Sequence, residues 1–450
     1  MTENHALGDN QDSGTTNVHD GAKSNWQARL INLIRADGSL LLAARLVQLV
    51  NGFAITVILV RAFGLASAGT YAVASVAVVV CSLVCALGLN GSLPRSLRGV
   101  RAAPDDDASS LRSTGQANFV ALVLILAALP VSLAGLFAYS AVMAHSVTEM
   151  WEILIFGASG YLLAQLNVGN TMLILQRRVW LCVMPPLLNT LGIAAGWLLA
   201  DTPLDFALFI TGSRLVGNAL LFASFPYEHV SFRGLLSEMS AGLKFLPMDL
   251  FGTLSDQLPT FLLASFLSRE ELGIFGICRQ LLMACETPGW SFVQSKYPEL
   301  AQSGAVSLPM IRRKVMAMSI IMALAGVVLS FSFGNYIYHI NGLGLLMLPI
   351  LATLPARYLQ NLLDQFMRAI GRLKMCTGLS VMKLALAVVC FPAAVTLFGL
   401  WGAIGTMAGM PVLLLASYAV GLGTASRPES SLRVTIISDP SIMVPSKASS

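Results

Sequence analysis

Apolar residues run along this chain in blocks of about twenty, and polar residues collect in the short gaps between them. A block of that length is what a helix needs to cross the hydrocarbon of a bilayer. Twelve blocks meet the requirement: 39–60, 70–93, 117–142, 152–174, 181–200, 204–225, 243–267, 272–295, 315–338, 343–367, 375–398 and 401–423. The narrowest gaps, Ala200–Leu204 and Leu397–Trp401, hold only a turn. The pattern predicts an all-α polytopic membrane protein of two six-helix lobes, 39–225 and 243–423. The linker 226–242 carries Phe232, Leu235, Leu236 and Met239, which predict a helix on the cytosolic surface. Ahead of the first block, residues 1–25 are polar and read as a cytosolic tail. Trp26, Leu30 and Leu33 then share a helical face beside Arg29 and Arg35, as an interfacial helix would, closing a leading segment 1–38. Residues 424–450, rich in Ser and Pro, read as a second disordered cytosolic tail.

Polar residues inside the blocks matter more than those between them. Asp256 and Gln257 fall in the seventh block, Arg279 and Glu286 in the eighth. A charge at the bilayer centre costs about 2.5–3.5 kcal/mol even on the lenient insertion scale, so such groups face a bundle interior or a wet cavity. Pro259 and Pro288 free the carbonyls of Ser255 and Ala284, so the hairpin from Leu243 to Pro298 reads as a polar, broken transport pathway with hinges at the two prolines. The tenth block carries Arg357, Gln360, Asn361, Asp364 and Gln365 close to one face.

Composition agrees: 56% of residues are hydrophobic and 11% charged, against about 25% charged in a soluble domain. A formal charge of +5 with no recognition motif gives no case for nucleic acid. The seven cysteines match no zinc or disulfide spacing, and no Gly-rich ATPase loop occurs. Of 28 Lys and Arg, 21 fall on the side of the termini and two, Arg61 and Arg269, on the other; Arg45, Arg214, Arg279, Arg357 and Lys383 lie within spans. That bias places both termini in the cytosol. A faint repeat supports two halves in one orientation. Shifting the chain by 204 positions pairs Gly69 with Gly273, Cys81 with Cys285 and Pro94 with Pro298.

The small-residue turn "RAFGLASAGTYAVAS", the close of the second block in "LGLNGSLPRSL", and the hairpin "FLSREELGIFGICRQLLMACETPGWSFVQSKYPEL" resemble polysaccharide flippases of the Wzx type. These belong to the multidrug/oligosaccharidyl-lipid/polysaccharide (MOP) exporter superfamily. The resemblance implies a V-shaped pair of lobes around a central cavity in the bacterial inner membrane. It also implies movement of an undecaprenyl-diphosphate-linked oligosaccharide from the cytosolic to the periplasmic leaflet, coupled to H+ or Na+ by antiport. Membrane lipid, a polysaccharide polymerase and a chain-length regulator are the partners it implies. The chain departs from drug-exporting relatives in its first span, which has Arg45, Gln48 and Asn51 and no acid matching the one those relatives use for coupling.

Five mid-membrane bases against two mid-membrane acids give a cavity a positive field, which suits a diphosphate. Arg45, Arg279 and Arg357 are the candidate phosphate ligands, from both lobes, with Arg214 and Lys383 as outer ones. Gln360 and Asn361 are candidates for sugar hydroxyls. Asp256 and Glu286 are candidates for ion coupling, since a carboxylate in low dielectric takes up protons more readily. For each base, neutralisation of a nearby carboxylate or snorkelling to the headgroups is the competing role. No catalytic set and no metal ligand set stands out. A multidrug or cation exporter of the same superfamily, and an integral-membrane polymerase or acyltransferase, stay open as alternatives.

Overall fold

The computed structural model describes residues 37–89, 92–93, 113–175, 178–243, 246–296, 300, 307–369 and 373–425. The leading interfacial helix and the trailing tail read from the sequence lie outside these residues. The described residues are helical throughout, with no strand among them. The first lobe holds α1 (Asp37–Ile58), α2 (Leu65–Ala86), α3 (Thr114–Met143), α4 (Val147–Leu175), α5 (Met184–Leu199) and α6 (Pro203–Ala223). The surface helix α7 (Phe232–Leu243) leads to the second lobe. There follow α8 (Leu246–Leu263), α9 (Arg269–Ser295), α10 (Leu308–Ser332), α11 (Leu343–Ala352), α12 (Leu354–Ala369) and α13 (Leu373–Ala425). Seven of these helices are long and apolar enough to span a bilayer, and α11 with α12 form an eighth candidate. The polar helices α4, α8 and α9 fall outside that group.

The ends of these helices follow from local chemistry. Ser146 and Glu149 open α4, Thr202 and Asp205 open α6, and Ser268 and Glu271 open α9. In each case the hydroxyl accepts from the third residue's backbone N–H while the carboxylate reaches back to the start. The long α13 divides at Gly399, whose φ of 56° and ψ of −137° suit a residue without Cβ. At about 1.5 Å per residue its 53 residues would measure roughly 80 Å, so two crossings separated by that break account for it.

Two expectations about breaks are corrected. Both α8 and α9 run through Pro259 and Pro288 as continuous helix, so the hairpin is broken at neither proline. The break lies instead between α11 and α12, bent by 44° at Thr353. Pro355 supplies the reason, because it has no N–H to give back to Leu351 and its ring crowds that carbonyl. One turn of π-helix ends α1 (Leu59–Phe63) and another ends α10 (Phe333–Tyr338).

The lobes meet where α2 lies against α9. A Cβ on Gly69 would come within 1.9 Å of the Arg269 carbonyl oxygen, and one on Gly273 within 2.5 Å of the Leu65 oxygen. Residues 65 and 69 correspond to 269 and 273 under the 204-residue shift, so each half places the same glycine on the same carbonyl of the other. This reciprocity gives the faint repeat a physical basis: a pseudo-two-fold axis passes between α2 and α9. Around it one hydrophobic core joins both lobes, from Ile55 and Phe156 to Phe275 and Met347. Toward the end bearing residues 37 and 425, the first lobe packs into a core of its own (Cys85, Leu89, Ile125, Leu173, Phe225). That end is hereafter the near face and the opposite end the far face; at the near face the end of α2 still meets the second lobe, where Gly88 lies against the Gly242 carbonyl and the start of α8.

We expect Gly69→Val and Gly273→Val each to cost about 1–3 kcal/mol or more, since the obstruction is main chain and cannot turn aside. Thermal unfolding in detergent measures it. Gly378→Ala, a site with open space around it, should leave the unfolding temperature in place.

Candidate functional site

Four helices of the second lobe bring their polar residues together. On α8, Asp256 and Thr260 are one turn apart; on α9, Arg279 and Glu286 are two turns apart; α12 supplies Arg357, and the first arm of α13 supplies Lys383. The Lys383 ammonium pairs with the Asp256 carboxylate. Arg357 donates through Nη1 to Glu286 Oε1 at 3.0 Å and through Nη2 to the Met407 carbonyl at 2.5 Å. Arg279 donates through Nη1 to Thr260 Oγ1 at 2.8 Å. It makes no direct ion pair among the described residues, although Asp256, Glu286 and Arg357 all lie within its field. Three bases face two acids, which leaves the cluster with one positive charge in excess.

The cluster is not sealed in the core. Glu286 and Arg357 keep about a fifth of their side chains exposed, and Asp256 keeps 61%. Its neighbours Ser255, Gln257 and Thr260 are buried, so Asp256 projects from the open side of α8. An ion pair that open, midway along a membrane helix, needs water beside it. Gln360 and Asn361, one turn beyond Arg357, are half-buried and have no hydrogen-bond partner among the described residues. Arg357 Nε and Gln257 Oε1 are buried without partners as well. Beside Arg279, Gln280 Oε1 accepts from Thr56 Oγ1 of α1 at 2.6 Å, which puts the cluster next to the lobe junction.

Of the five mid-membrane bases, the structure gathers Arg279, Arg357 and Lys383, together with both acids, Asp256 and Glu286. Arg45 lies on α1, in the first lobe. Arg214 of α6 donates to Ser159 Oγ of α4 at 2.7 Å, within that lobe. The contacts thus draw together bases of the second lobe, while Arg214 of the first lobe is held within its own lobe. Two of the cluster's three bases are engaged with carboxylates, and only Arg279 stands without one.

A second polar set, absent from the sequence reading, occupies the far face. Arg269 of α9 crosses to the first lobe, where Nε donates to Glu149 Oε1 at 2.5 Å and Nη2 to the Met143 carbonyl. Arg61 crosses the other way, donating to the carbonyls of Ile337 and Tyr336 at 2.5 and 2.6 Å. The signal for both was in the chain: they are the two bases that break its charge asymmetry.

No family model and no curated protein matches this chain. Solved structures do. An inward-facing multidrug resistance MATE family transporter of the MOP superfamily aligns with a TM-score of 0.66 at 14% identity, over 84% of this chain and 94% of that one. An outward-facing conformation of such a transporter gives 0.57 at 14%, over 87% and 94%. A MOP superfamily transporter from Pyrococcus furiosus, described as having a binding pocket of reversed polarity, gives 0.54 at 14%, over 87% and 94%. These likenesses establish the fold, two helical lobes arranged as in the MOP exporters.

The Arg357–Glu286 pair should show in a double-mutant cycle. Arg357→Met and Glu286→Gln each lower the unfolding temperature in detergent, and the double variant loses less than their sum, with coupling of about 1–3 kcal/mol. Strict additivity would mean that the pair does not form.

Proposed function

We propose that this chain is an alternating-access transporter of the MOP fold. Its cargo is a polyprenyl-diphosphate-linked oligosaccharide, carried from the cytosolic leaflet to the opposite one. The observation that supports this reading is the excess positive charge of the second-lobe cluster, with Arg279 free of any carboxylate. A diphosphate diester carries one charge on each phosphate, and guanidinium groups bind such oxygens through paired N–H donors. The bend at Thr353 adds to the same field. It sets the N-terminus of α12, with its unshared N–H groups, beside Arg357 in mid-membrane. Gln360 and Asn361 offer amides to sugar hydroxyls one turn further on.

Binding and ion coupling share these residues in the proposal. A diphosphate that takes Arg279 and Arg357 removes the counter-charge of Glu286. A proton or a sodium ion then restores neutrality, at Glu286 or at Asp256. Substrate occupancy and ion occupancy become one equilibrium in which each favours the other, so in this scheme the two move together and not by the antiport that the resemblance implies. Arg45 and Arg214 are left as first-lobe contributors to the field. The setting is the bacterial inner membrane with both termini cytosolic, where a polymerase and a chain-length regulator would take up the product.

A second reading has one observation in its favour. Asp256 is the most open charged group of the cluster, and an open carboxylate attracts cations; a multidrug or cation exporter would use it so. Proteoliposomes separate the two. With a fluorescent lipid-diphosphate-linked saccharide, the parent protein should flip the probe, and Arg279→Ala and Arg357→Ala should each slow it roughly tenfold or more. The basis is the loss of a charged hydrogen bond worth about 1.5–3 kcal/mol. Gln360→Ala and Asn361→Ala should weaken it less. Unchanged flipping in both arginine variants would remove the proposal. Efflux of a lipophilic cationic dye that Asp256→Asn abolishes, with no flipping of the anionic probe, would establish the exporter instead.

A further inference from the structure

The two arginines of the far face form a reciprocal arrangement. Arg269 lies at the start of α9, and its guanidinium reaches the C-terminal end of α3, the third helix of the other lobe, at the Met143 carbonyl. Arg61 lies between α1 and α2, and its guanidinium reaches the C-terminal end of the π-turn after α10, again the third membrane helix of the other lobe, at Tyr336 and Ile337. Helix C-termini present carbonyls without intrahelical partners and a negative dipole end, so a cation docks there favourably. Each lobe thus caps the third helix of its partner with one arginine, across the axis on which Gly69 and Gly273 exchange carbonyl contacts.

Each capped terminus is followed by a histidine, and there the two clasps differ. On the first-lobe terminus, His145 Nδ1 lies 3.8 Å from Glu149 Oε2, and Glu149 is the carboxylate that holds Arg269. On the second-lobe terminus, Arg61 Nη2 lies 2.9 Å from His339 Nε2 itself. A guanidinium only donates, so Nε2 accepts; His339 Nδ1 lies 3.0 Å from the Asn335 carbonyl and donates to it. This geometry requires the neutral ring. His339 also holds a φ of 53°, a left-handed conformation disfavoured for a residue with a side chain, and it is kept there at the end of a π-turn.

We propose that Arg61 and Arg269 are paired clasps that close the far face, and that His339 is a proton site whose occupancy opens the Arg61 clasp. Protonation converts the acceptor at Nε2 into a donor and sets an imidazolium against a guanidinium. The sign follows directly. The Arg61–His339 contact exists only with the neutral ring, so acid on the far side shifts the lobes toward opening there. The charged or titratable groups around this clasp are Arg61 on the π-turn after α1, and His339, Tyr336 and Tyr338 on the π-turn after α10. The other clasp holds Glu149, Glu152, His145, Arg269, Glu270 and Glu271, with Tyr139 beside it. In that clasp the guanidinium rests on a carboxylate and a carbonyl, and the imidazole of His145 faces the carboxylate rather than the guanidinium.

The inference rests on the reading of the chain as an alternating-access transporter, but on no particular cargo, and its test uses none. Spin labels at Asp201→Cys and Asn341→Cys, both exposed on the far face in opposite lobes, report lobe separation by pulsed electron resonance in a Cys390→Ala background. From pH 7.5 to pH 5.5 the long-distance population should rise about threefold or more. His339→Gln, which offers Arg61 an uncharged acceptor, should hold the short distance at both pH values. Arg61→Gln should show the long population already at pH 7.5, with the pH response lost. A pH response retained in His339→Gln, none in the parent, or an unchanged distance at pH 7.5 in Arg61→Gln would each overturn the proposal. Flipping of the anionic probe is measured separately, so failure of the cargo reading leaves this result standing, and the reverse.

Discussion

A charged side chain inside a membrane has to find a counter-charge, a hydrogen-bond donor or acceptor, or water, and the second lobe of this protein is arranged around that demand. Lys383 answers Asp256, Arg357 answers Glu286, and Arg279 settles on a threonine hydroxyl and on the field of its neighbours. The pairs draw four helices, α8, α9, α12 and α13, to one place. The odd cation then leaves the place unsaturated. With Arg279 held by Thr260 and no carboxylate, the cluster has one base more than it has acids.

The same demand explains why the two lobes differ although the fold repeats. Under the 204-residue shift the hairpins α1–α2 and α8–α9 share the contact glycine, Gly69 and Gly273, but not their charges. Opposite Arg279 and Glu286 stand Ser75 and Ser82, and Ser82 bonds the carbonyl of Val79 in its own helix. Several polar groups of the first lobe pair within it: Asn51 with Thr190 and the Pro186 carbonyl, Arg214 with Ser159, Asn218 with the Leu162 carbonyl. Backbone symmetry has survived where main chain touches main chain, and side-chain chemistry has diverged where it does not.

The helices were legible because a bilayer imposes length and apolarity on any crossing segment, and among the described residues the twelve windows fall mostly on helix, seven of the helices being long and apolar enough to cross. The narrow gaps were legible too: Thr202 with Asp205 caps a new helix, and Gly399 takes a conformation its neighbours cannot. The prolines misled. Pro259 and Pro288 are accommodated within continuous helices, while the bend came at Thr353 ahead of Pro355. A proline marks a missing donor but does not say whether the neighbours make good the loss. The site was legible by residue type and not by place. Intramembrane charge singled out Arg279, Arg357, Lys383, Asp256 and Glu286, but the order of residues along a chain carries no record of which helices will touch. Hence Arg45 and Arg214 were grouped with residues of the other lobe. Arg61 and Arg269 stood out by location yet had no partner in sequence, since carbonyls at a helix end leave no mark on residue type.

The glycine contact between α2 and α9 has a mechanical side. It lies one turn from the far end of α2, roughly 6 Å along the axis, and about 25 Å from the near end. Rigid rocking about that point works as an unequal lever, in which a wide swing of the near ends produces only a slight parting at the other. In the alternating-access reading proposed above, a full aperture on the short arm is therefore beyond simple tilting, and the glycine has to slide over the facing backbone.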